Sequence, residues 1–504
     1  MMRQRRRSRL EESRVPGASV WPVRRYVLLA AVAVISLALP AALTFSPSEA
    51  TSGRKPSKAG GASEQRTPKD LADDIDHNAW LGIKPGIAAS PASADDIHVV
   101  FSTDCSPYQN YQATMLFHSA EAVGHKGRIT RVASGCNREE QLEMNIFMMR
   151  QPERFHVHFT PDYSLDPETG ERFMFYNKPN GLAHFLKSAD FPVHEAVVAL
   201  VDPDMIFMSP LTPFVGDADK MLWHDTDARQ GPDWVVEGSP VGQFYGLGGV
   251  WTMWDDLPEI TEALGEDTPA RAVAIKEANA EYPVGPPYMM HPRDWARVID
   301  LWVALSPKVH RGHPGILAEM YGFCIAAAHV GLRHRVAYGL MVSDTGMPGR
   351  EGWPLVDPLG TSACDPDSVD HRRGSLPPIV HYCQMYRVGT FMWGKRHRSH
   401  HSFFGCHSDS LELPPPDYLA GPMAEVRVHP LRARVAQSGE EALPERVPAV
   451  TGLRQGYAMC AVLRSMNEAL EKYKYRYCEA GDVSGGVRRF TDLARDQLEA
   501  DAYS

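Results

Sequence analysis

The chain has 504 residues, of which 43% are hydrophobic and 23% charged. That length exceeds one small domain, and that composition excludes a wholly disordered chain. A mean hydropathy of −0.30 excludes a polytopic membrane protein. The net charge of −10 is unevenly divided: residues 1–25 carry eight Arg against two Glu, a balance of +6, which leaves −16 for the rest. A large acidic part argues against a nucleic-acid partner. Forty Pro residues and 40 Gly residues predict many loops.

The basic arm at 1–25 has another use. Tyr26 to Phe45 is 20 residues without a charge, enough at about 1.5 Å per residue to cross about 30 Å of hydrocarbon. Arg24 and Arg25 abut it, so the positive-inside bias predicts a cytosolic N-terminus and a translocated C-terminus. The segment reads as a single-pass membrane anchor at 26–45; a cleaved signal peptide is the other reading. Both send the large domain into lumenal or extracellular space. The eight Cys, none in a CxxC pair, fit disulfides in such a compartment better than a zinc ribbon. No Asn-x-Ser/Thr sequon occurs. Residues 46–95 are rich in Ser, Pro, Ala, Gly and charge, cannot bury a core, and read as a flexible stem.

The folded domain is expected over 96–410. Ile97 to Ser102 predicts a first strand and Tyr108 to Val123 a helix stopped by Gly124. Strands are predicted at Arg128 to Ser134 and Phe155 to Phe159, and a short helix at Asn180 to Lys187. Ala196 to Val201 is a continuous apolar run, the pattern of a strand covered on both faces. Strands alternating with helices predict an α/β fold with a mostly parallel sheet flanked by helices. Residues 411–504 read as a Pro-rich wrap, from Leu411 to about Val450, and a C-terminal helical extension with a helix from Met459 to Tyr477.

Asp-x-Asp occurs at 74/76, 202/204, 217/219, 225/227 and 365/367, so the pattern alone selects nothing. The copy Asp202-Pro203-Asp204 is set apart because it ends the buried-strand pattern. Carboxyl ends of central strands are where α/β sheets bind ligands. Two carboxylates one residue apart can share a divalent cation, which in turn can bridge the phosphates of a nucleotide. An Asp-Pro turn without ligand is the competing reading.

Six blocks in order resemble one family: HVVFSTDCSPYQNYQATMLFHSAEAVGHKGRITRVASGC (98–136), DPETGERFMFYNKPNGLAHFL (166–186), VVALVDPDMIFMSPLTPF (197–214), AEMYGFCIAAAHVGLRHRV (318–336), IVHYCQMYRVGTFMW (379–393) and MCAVLRSMNEALEKYKYRYC (459–478). They look like plant-type peptidyl-serine α-galactosyltransferases and the related hydroxyproline O-arabinosyltransferases, which modify extensin-like proteins. These are similar to GT-A-type glycosyltransferases. The resemblance implies a GT-A-like nucleotide-sugar-binding sheet at 96–410, a UDP-sugar donor, and a divalent cation, usually Mn²⁺. It implies a Ser/hydroxyproline-rich acceptor protein and retention of anomeric configuration. With the anchor, it implies a type II enzyme of the ER or Golgi membrane with a lumenal catalytic domain.

On that resemblance Asp202 and Asp204 become the metal motif, Asp202 also facing the donor. His381 in IVHY becomes the candidate third ligand, against a structural His in a chain with 21 of them. Thr103 and Asp104, after the first strand, are candidates to meet the nucleoside, or else cap the following helix. Lys178 is a candidate for phosphate charge, or an exposed Lys. Glu319 is the candidate catalytic carboxylate, orienting the acceptor or stabilising positive charge at the anomeric carbon, or an exposed helix residue. The run KRHRSHH, with His397, His400 and His401, reads as a solvated basic loop. Two stretches depart from the family: His381-Tyr382-Cys383 for His-Tyr-Gly, and Gly285-Pro286-Pro287-Tyr288, read as a stiffened acceptor-side loop. These departures leave room for a second class, a membrane-tethered carbohydrate- or glycoprotein-binding protein without turnover.

Cys105 and Cys136 follow the first two strands. If those strands are adjacent and parallel, their ends lie about 4.8 Å apart, within disulfide reach. Cys460 and Cys478 flank the last helix and form the second expected pair; Cys324 reads as a buried thiol. HExxH is incomplete after His194-Glu195, and GxSxG and Walker A loops do not occur.

Overall fold

A computed structural model describes residues 86–253, 258–346, 349–389, 391–420, 427–428, 445–446 and 449–489. The basic arm, the expected membrane span at 26–45 and the stem up to residue 85 lie outside the described residues, as does most of the Pro-rich wrap. Among the described residues no helix is long and apolar enough to cross a membrane. Docked chain begins earlier than Asp96: Ala88 and Ala89 each give a carbonyl, to His291 Nε2 at 3.1 Å and to the Glu237 amide at 3.0 Å.

The central sheet has seven strands in the order β3-β2-β1-β4-β7-β6-β8. They are β1 Ile97–Thr103, β2 Arg128–Ser134, β3 Phe155–Thr160, β4 Val197–Val201, β6 Val241–Phe244, β7 Val284–Met290 and β8 Arg335–Ala337. β1 runs parallel to β2 and β4, β2 to β3, and β6 to β8; only β7, antiparallel to β4 and β6, is reversed. The mostly parallel α/β sheet is therefore as expected.

Alternation along the strands builds two cores. Val100, Val198 and Leu200 face one side, where Leu182, Trp295, Trp302 and Phe323 pack on them. Ile97, Val99, Phe101, Val197, Ala199 and Val201 face the other, with Ala113, Leu116 and Phe117. Both faces are covered, which is why β4 can be apolar and buried at all five positions. Four of the covering helices are α1 Pro107–Ala122, α3 Asn177–Ser188, α4 Pro292–Gly312 and α5 Ala318–His329, with α2 Arg138–Met148 beside β3. The Ser106 side chain caps α1 by accepting from the Gln109 amide. Its far end stops where Gly124 takes φ +72°, a conformation that favours Gly.

A second, three-stranded sheet sits at the carboxyl end of β4. It pairs β5 Met205–Phe207 and β9 Met341–Val342 with β10 Ile379–His381, β5 antiparallel and β9 parallel. The hairpin β11 Met385–Val388 and β12 Phe391–Gly394 follows. The C-terminal helix α6, Ala449–Tyr477, starts ten residues before the expected Met459. Its Tyr457, Leu463 and Met466 share a core with Tyr111 and Met115 of α1 and Trp353.

Two expectations are corrected. Gly285-Pro286-Pro287-Tyr288 is no loop but part of β7, buried throughout. Gly242 pairs with Tyr288 and Gln243 with Gly285, so both Pro residues fall in the slip between these pairs. Pro gives no N–H to a ladder, and a bulge is where it fits. Cys460 pairs with Cys364 and Cys478 with Cys406, in place of the expected Cys460–Cys478 link. The two Cys residues bracket most of one straight helix, which holds them too far apart for a bond that needs Cα atoms within about 7 Å. Cys105–Cys136 is formed as expected, across adjacent parallel strands, and Cys324 is a buried free thiol.

Peptide mapping without reduction should recover Cys105–Cys136, Cys364–Cys460 and Cys406–Cys478. The Cys364–Cys460 link spans 96 residues. Replacing both Cys with Ala should lower stability by roughly 2–4 kcal/mol in denaturant titration. Recovery of a Cys460–Cys478 peptide would contradict this packing of α6.

Candidate active site

The end of β4 delivers the acidic pair. The chain leaves the core at Val201, turns through Asp202-Pro203-Asp204, and re-enters as β5. In the antiparallel β5–β10 pairing His381 lies opposite Met205, and the Tyr382 amide donates to the Asp204 carbonyl at 3.0 Å. That register sets the imidazole beside the carboxylate: His381 Nε2 is 3.2 Å from Asp204 Oδ1. On its other side His381 Nδ1 lies 3.4 Å from the Tyr245 hydroxyl, and Tyr386 donates to its carbonyl at 3.2 Å. One ligand atom each from Asp202, Asp204 and His381 can be chosen with all three within 4.8 Å of one another. Two carboxylates and an imidazole suit a divalent cation such as Mn²⁺.

Two Lys residues compensate these acids. Lys178, in the first turn of α3, bridges Asp202 Oδ1 at 2.9 Å and Glu319 Oε1 at 2.7 Å. Glu319, in the first turn of α5, is 1% exposed, and its Oε2 has no hydrogen-bond partner. It is thus no exposed helix carboxylate, and Lys178 is no free surface cation. Lys395, just after β12, pairs with Asp204 Oδ2. Burial alone would raise the Asp204 carboxyl; Lys395 and His381 outweigh it and hold it well below the usual range. Burial disfavours charge on His381, yet Asp204 wins and raises it above its ordinary value. Burial pushes Glu319 up against the opposing pull of Lys178.

Thr103 and Asp104 stand at the carboxyl end of β1, the strand next to β4. Both are engaged within the chain. Thr103 Oγ1 accepts from Arg131 Nε at 2.8 Å, and Asp104 Oδ1 accepts from the Ser106 amide at 2.9 Å and from its hydroxyl at 2.5 Å. Asp104 therefore supports the residue that caps α1 and is not itself the cap. Among the described residues no hydrogen bond or ion pair joins Thr103 or Asp104 to the acidic pair, so the structure assembles Asp202, Asp204, His381, Lys178 and Glu319, and leaves the other two at the neighbouring strand end.

The expectation of a solvated loop at KRHRSHH is corrected. His397 and His400 are buried, and His400 stacks on Trp393 with ring centroids 5.6 Å apart. Burial pushes the His400 imidazole down to about 3. His401 meets Tyr108 edge-on at 5.6 Å. Aromatic packing thus clamps the basic run against α1, and Tyr111 donates to the Lys395 carbonyl. The clamp carries the Lys395 side chain to Asp204. Sequence reasoning missed Lys395; the available signal was its place just after the apolar run FMWG, two residues past a block of the resemblance. The thiol of Cys383, the residue that departs from the family triplet, is pushed up to about 12 by burial and the nearby Asp204 charge.

No family model matches the chain. It is 26% identical over 312 residues to a peptidyl serine alpha-galactosyltransferase of Arabidopsis thaliana, covering 59% of this chain and 31% of that one. A peptidyl serine alpha-galactosyltransferase of Chlamydomonas reinhardtii is 26% identical over 323 residues, 61% of this chain and 37% of that one. The chain thus spans about a third of the length of the curated relatives it matches. Among solved structures, the galactosyltransferase LgtC with donor and acceptor sugar analogs is 14% identical, covering 58% of this chain and 89% of that one, at a TM-score of 0.31. The glycosyltransferase GlyE of Streptococcus pneumoniae is 12% identical, over 57% and 54%, at a TM-score of 0.28. Scores that low carry neither fold detail nor chemistry across. The resemblance in sequence to peptidyl serine alpha-galactosyltransferases, in contrast, extends over more than half of the chain.

Proposed function

We propose that this protein is a metal-dependent, retaining GT-A-type glycosyltransferase that moves galactose from a UDP-sugar to a Ser hydroxyl of a secretory protein. Arabinose as donor sugar and hydroxyproline as acceptor belong to the same reading. The observation that carries it is the convergence of Asp202, Asp204 and His381 at the carboxyl end of β4, together with the sequence likeness to peptidyl serine alpha-galactosyltransferases. The uncharged span at 26–45, behind the basic arm, adds a type II anchor, with the catalytic domain in the lumen of the ER or Golgi.

Asp202, Asp204 and His381 would hold the cation, which when bound supplies charge neutralisation for the diphosphate leaving group. Lys395 and Lys178 flank the acids and bring fixed positive charge to the same end of the sheet. Lys178 also fixes one oxygen of Glu319, while Oε2 is buried without a hydrogen-bond partner. That oxygen suits an acceptor hydroxyl or the positive charge that develops at the anomeric carbon. In the retaining route the serine oxygen bonds to the anomeric carbon on the face from which UDP departs, as the bond to the phosphate oxygen breaks. The serine proton passes to the departing phosphate oxygen, so no separate strong base is needed. A buried carboxylate kept partnerless at one oxygen is a cost to stability, and favours a catalytic protein over a binding protein of the same fold.

Asp204→Ala should lower Mn²⁺-dependent UDP-galactose hydrolysis or transfer by about 100-fold or more while circular dichroism stays native. Turnover near the parent level would remove the reading. His381→Ala should raise the Mn²⁺ needed for half-maximal activity by about tenfold or more; an unchanged requirement would show that His381 is not a ligand.

Lys395 sets up a separate outcome. Its ammonium and a cation compete for Asp204, so Lys395→Met should tighten Mn²⁺ binding in calorimetry without nucleotide while lowering turnover. Weaker Mn²⁺ binding in that variant would contradict the competition.

A further inference from the structure

Apolar side chains this exposed are unusual near charged catalytic machinery. Met174 and Phe175 are 53% and 41% exposed and lie four and three residues before Lys178. Ile316 and Leu317 are 68% and 37% exposed and lie three and two residues before Glu319. Lys178 and Glu319 touch at 2.7 Å, so the two short segments that lead into them end at one place. Leu165, also exposed, extends the first segment through its bridge to Arg172.

The segments are held, not loose. The stretch 164–176 is clamped to the C-terminal end of α4: Asp166 pairs with Arg311 at 2.6 Å, Phe173 stacks on His310 at 3.8 Å, and Tyr176 hydrogen-bonds His310 at 2.9 Å. The chain that leaves that same helix end carries Ile316 and Leu317 into α5. Exposed apolar side chains on a rigid frame are the mark of an interaction surface.

We infer that Leu165, Met174, Phe175, Ile316 and Leu317 form the docking rim for the acceptor polypeptide, an extended segment with apolar side chains on either side of the reacting serine. This rests on the transferase reading above. What selects the occupant is position. A body seated on the rim lies over the segments that lead, within four residues of chain, into Lys178 and Glu319. A second copy of this chain seated there would obstruct the reaction; the acceptor is the one macromolecule that must occupy both places. Apolar anchors at the rim give affinity while the buried charges beside them act on the hydroxyl.

The test uses the full chain with Mn²⁺ and UDP, and two fluorescein-labelled serine peptides, one with Pro and Leu neighbours and one with Gly and Asn neighbours. The first should bind more tightly in anisotropy titrations. Met174→Ser/Phe175→Ser and Ile316→Ser/Leu317→Ser should each weaken it by about tenfold or more, remove most of the difference between peptides, and leave acceptor-free UDP-galactose hydrolysis at the parent level. Equal affinity for the two peptides, unchanged affinity in both variants, or hydrolysis falling in step with binding would overturn the inference. So would a change of oligomeric state in the variants with peptide affinity preserved, which assigns the rim to a second copy. A parent protein without any UDP-sugar hydrolysis would sink the transferase reading instead, while the binding titrations, which need no turnover, still decide the rim.

Discussion

The charge of Asp204 cannot be left alone in the place the fold puts it. Its side chain is almost fully enclosed, and an unpaired buried carboxylate would give up its proton-free form or destabilise the chain. Two remote segments converge to prevent that, and a backbone hydrogen bond holds one of them in place. β10 is paired against β5 so that His381 faces it, the end of β12 supplies Lys395, and the β5–β10 backbone hydrogen bond fixes the distance between the strands. The small second sheet is short, yet it sets the register on which the site depends.

The same logic extends outward through Asp202. Lys178 ties it to Glu319, and these two side chains come from the first turns of α3 and α5. Both helices pack through Leu182 and Phe323 into the core on one face of the central sheet. The positions of two charged groups are therefore set by apolar burial several residues away. Helix N-termini carry partial positive charge, which favours an anionic partner at this end of the sheet. Acids, cations and helix ends form one network, and removing a member shifts the others.

What could be read from sequence was local or followed from strand adjacency. Val197–Val201 followed by Asp-Pro-Asp announces a buried strand and its ligand-facing end within one stretch of chain. Cys105 and Cys136 pair because each follows one of two neighbouring parallel strands. The misses have long-range causes. Cys460 finds a partner 96 residues away in sequence, set by the packing of α6 on the segment Asp357–Cys364, which no spacing rule contains. KRHRSHH has the composition of a solvated loop; Trp393, Tyr108 and Tyr111 bury it, and only the last step of that packing brings Lys395 to Asp204. The Pro pair in β7 suggests a loop until the partner strand reveals a bulge to hold it.

Anomalous scattering at the manganese edge from crystals grown with Mn²⁺ and UDP tests the central claim most directly. The account predicts one strong peak coordinated by Asp204, His381 and Asp202, with the Lys395 ammonium displaced from Asp204 toward the diphosphate. A nucleotide bound without a peak at these three residues, and Lys395 still on Asp204, would contradict it.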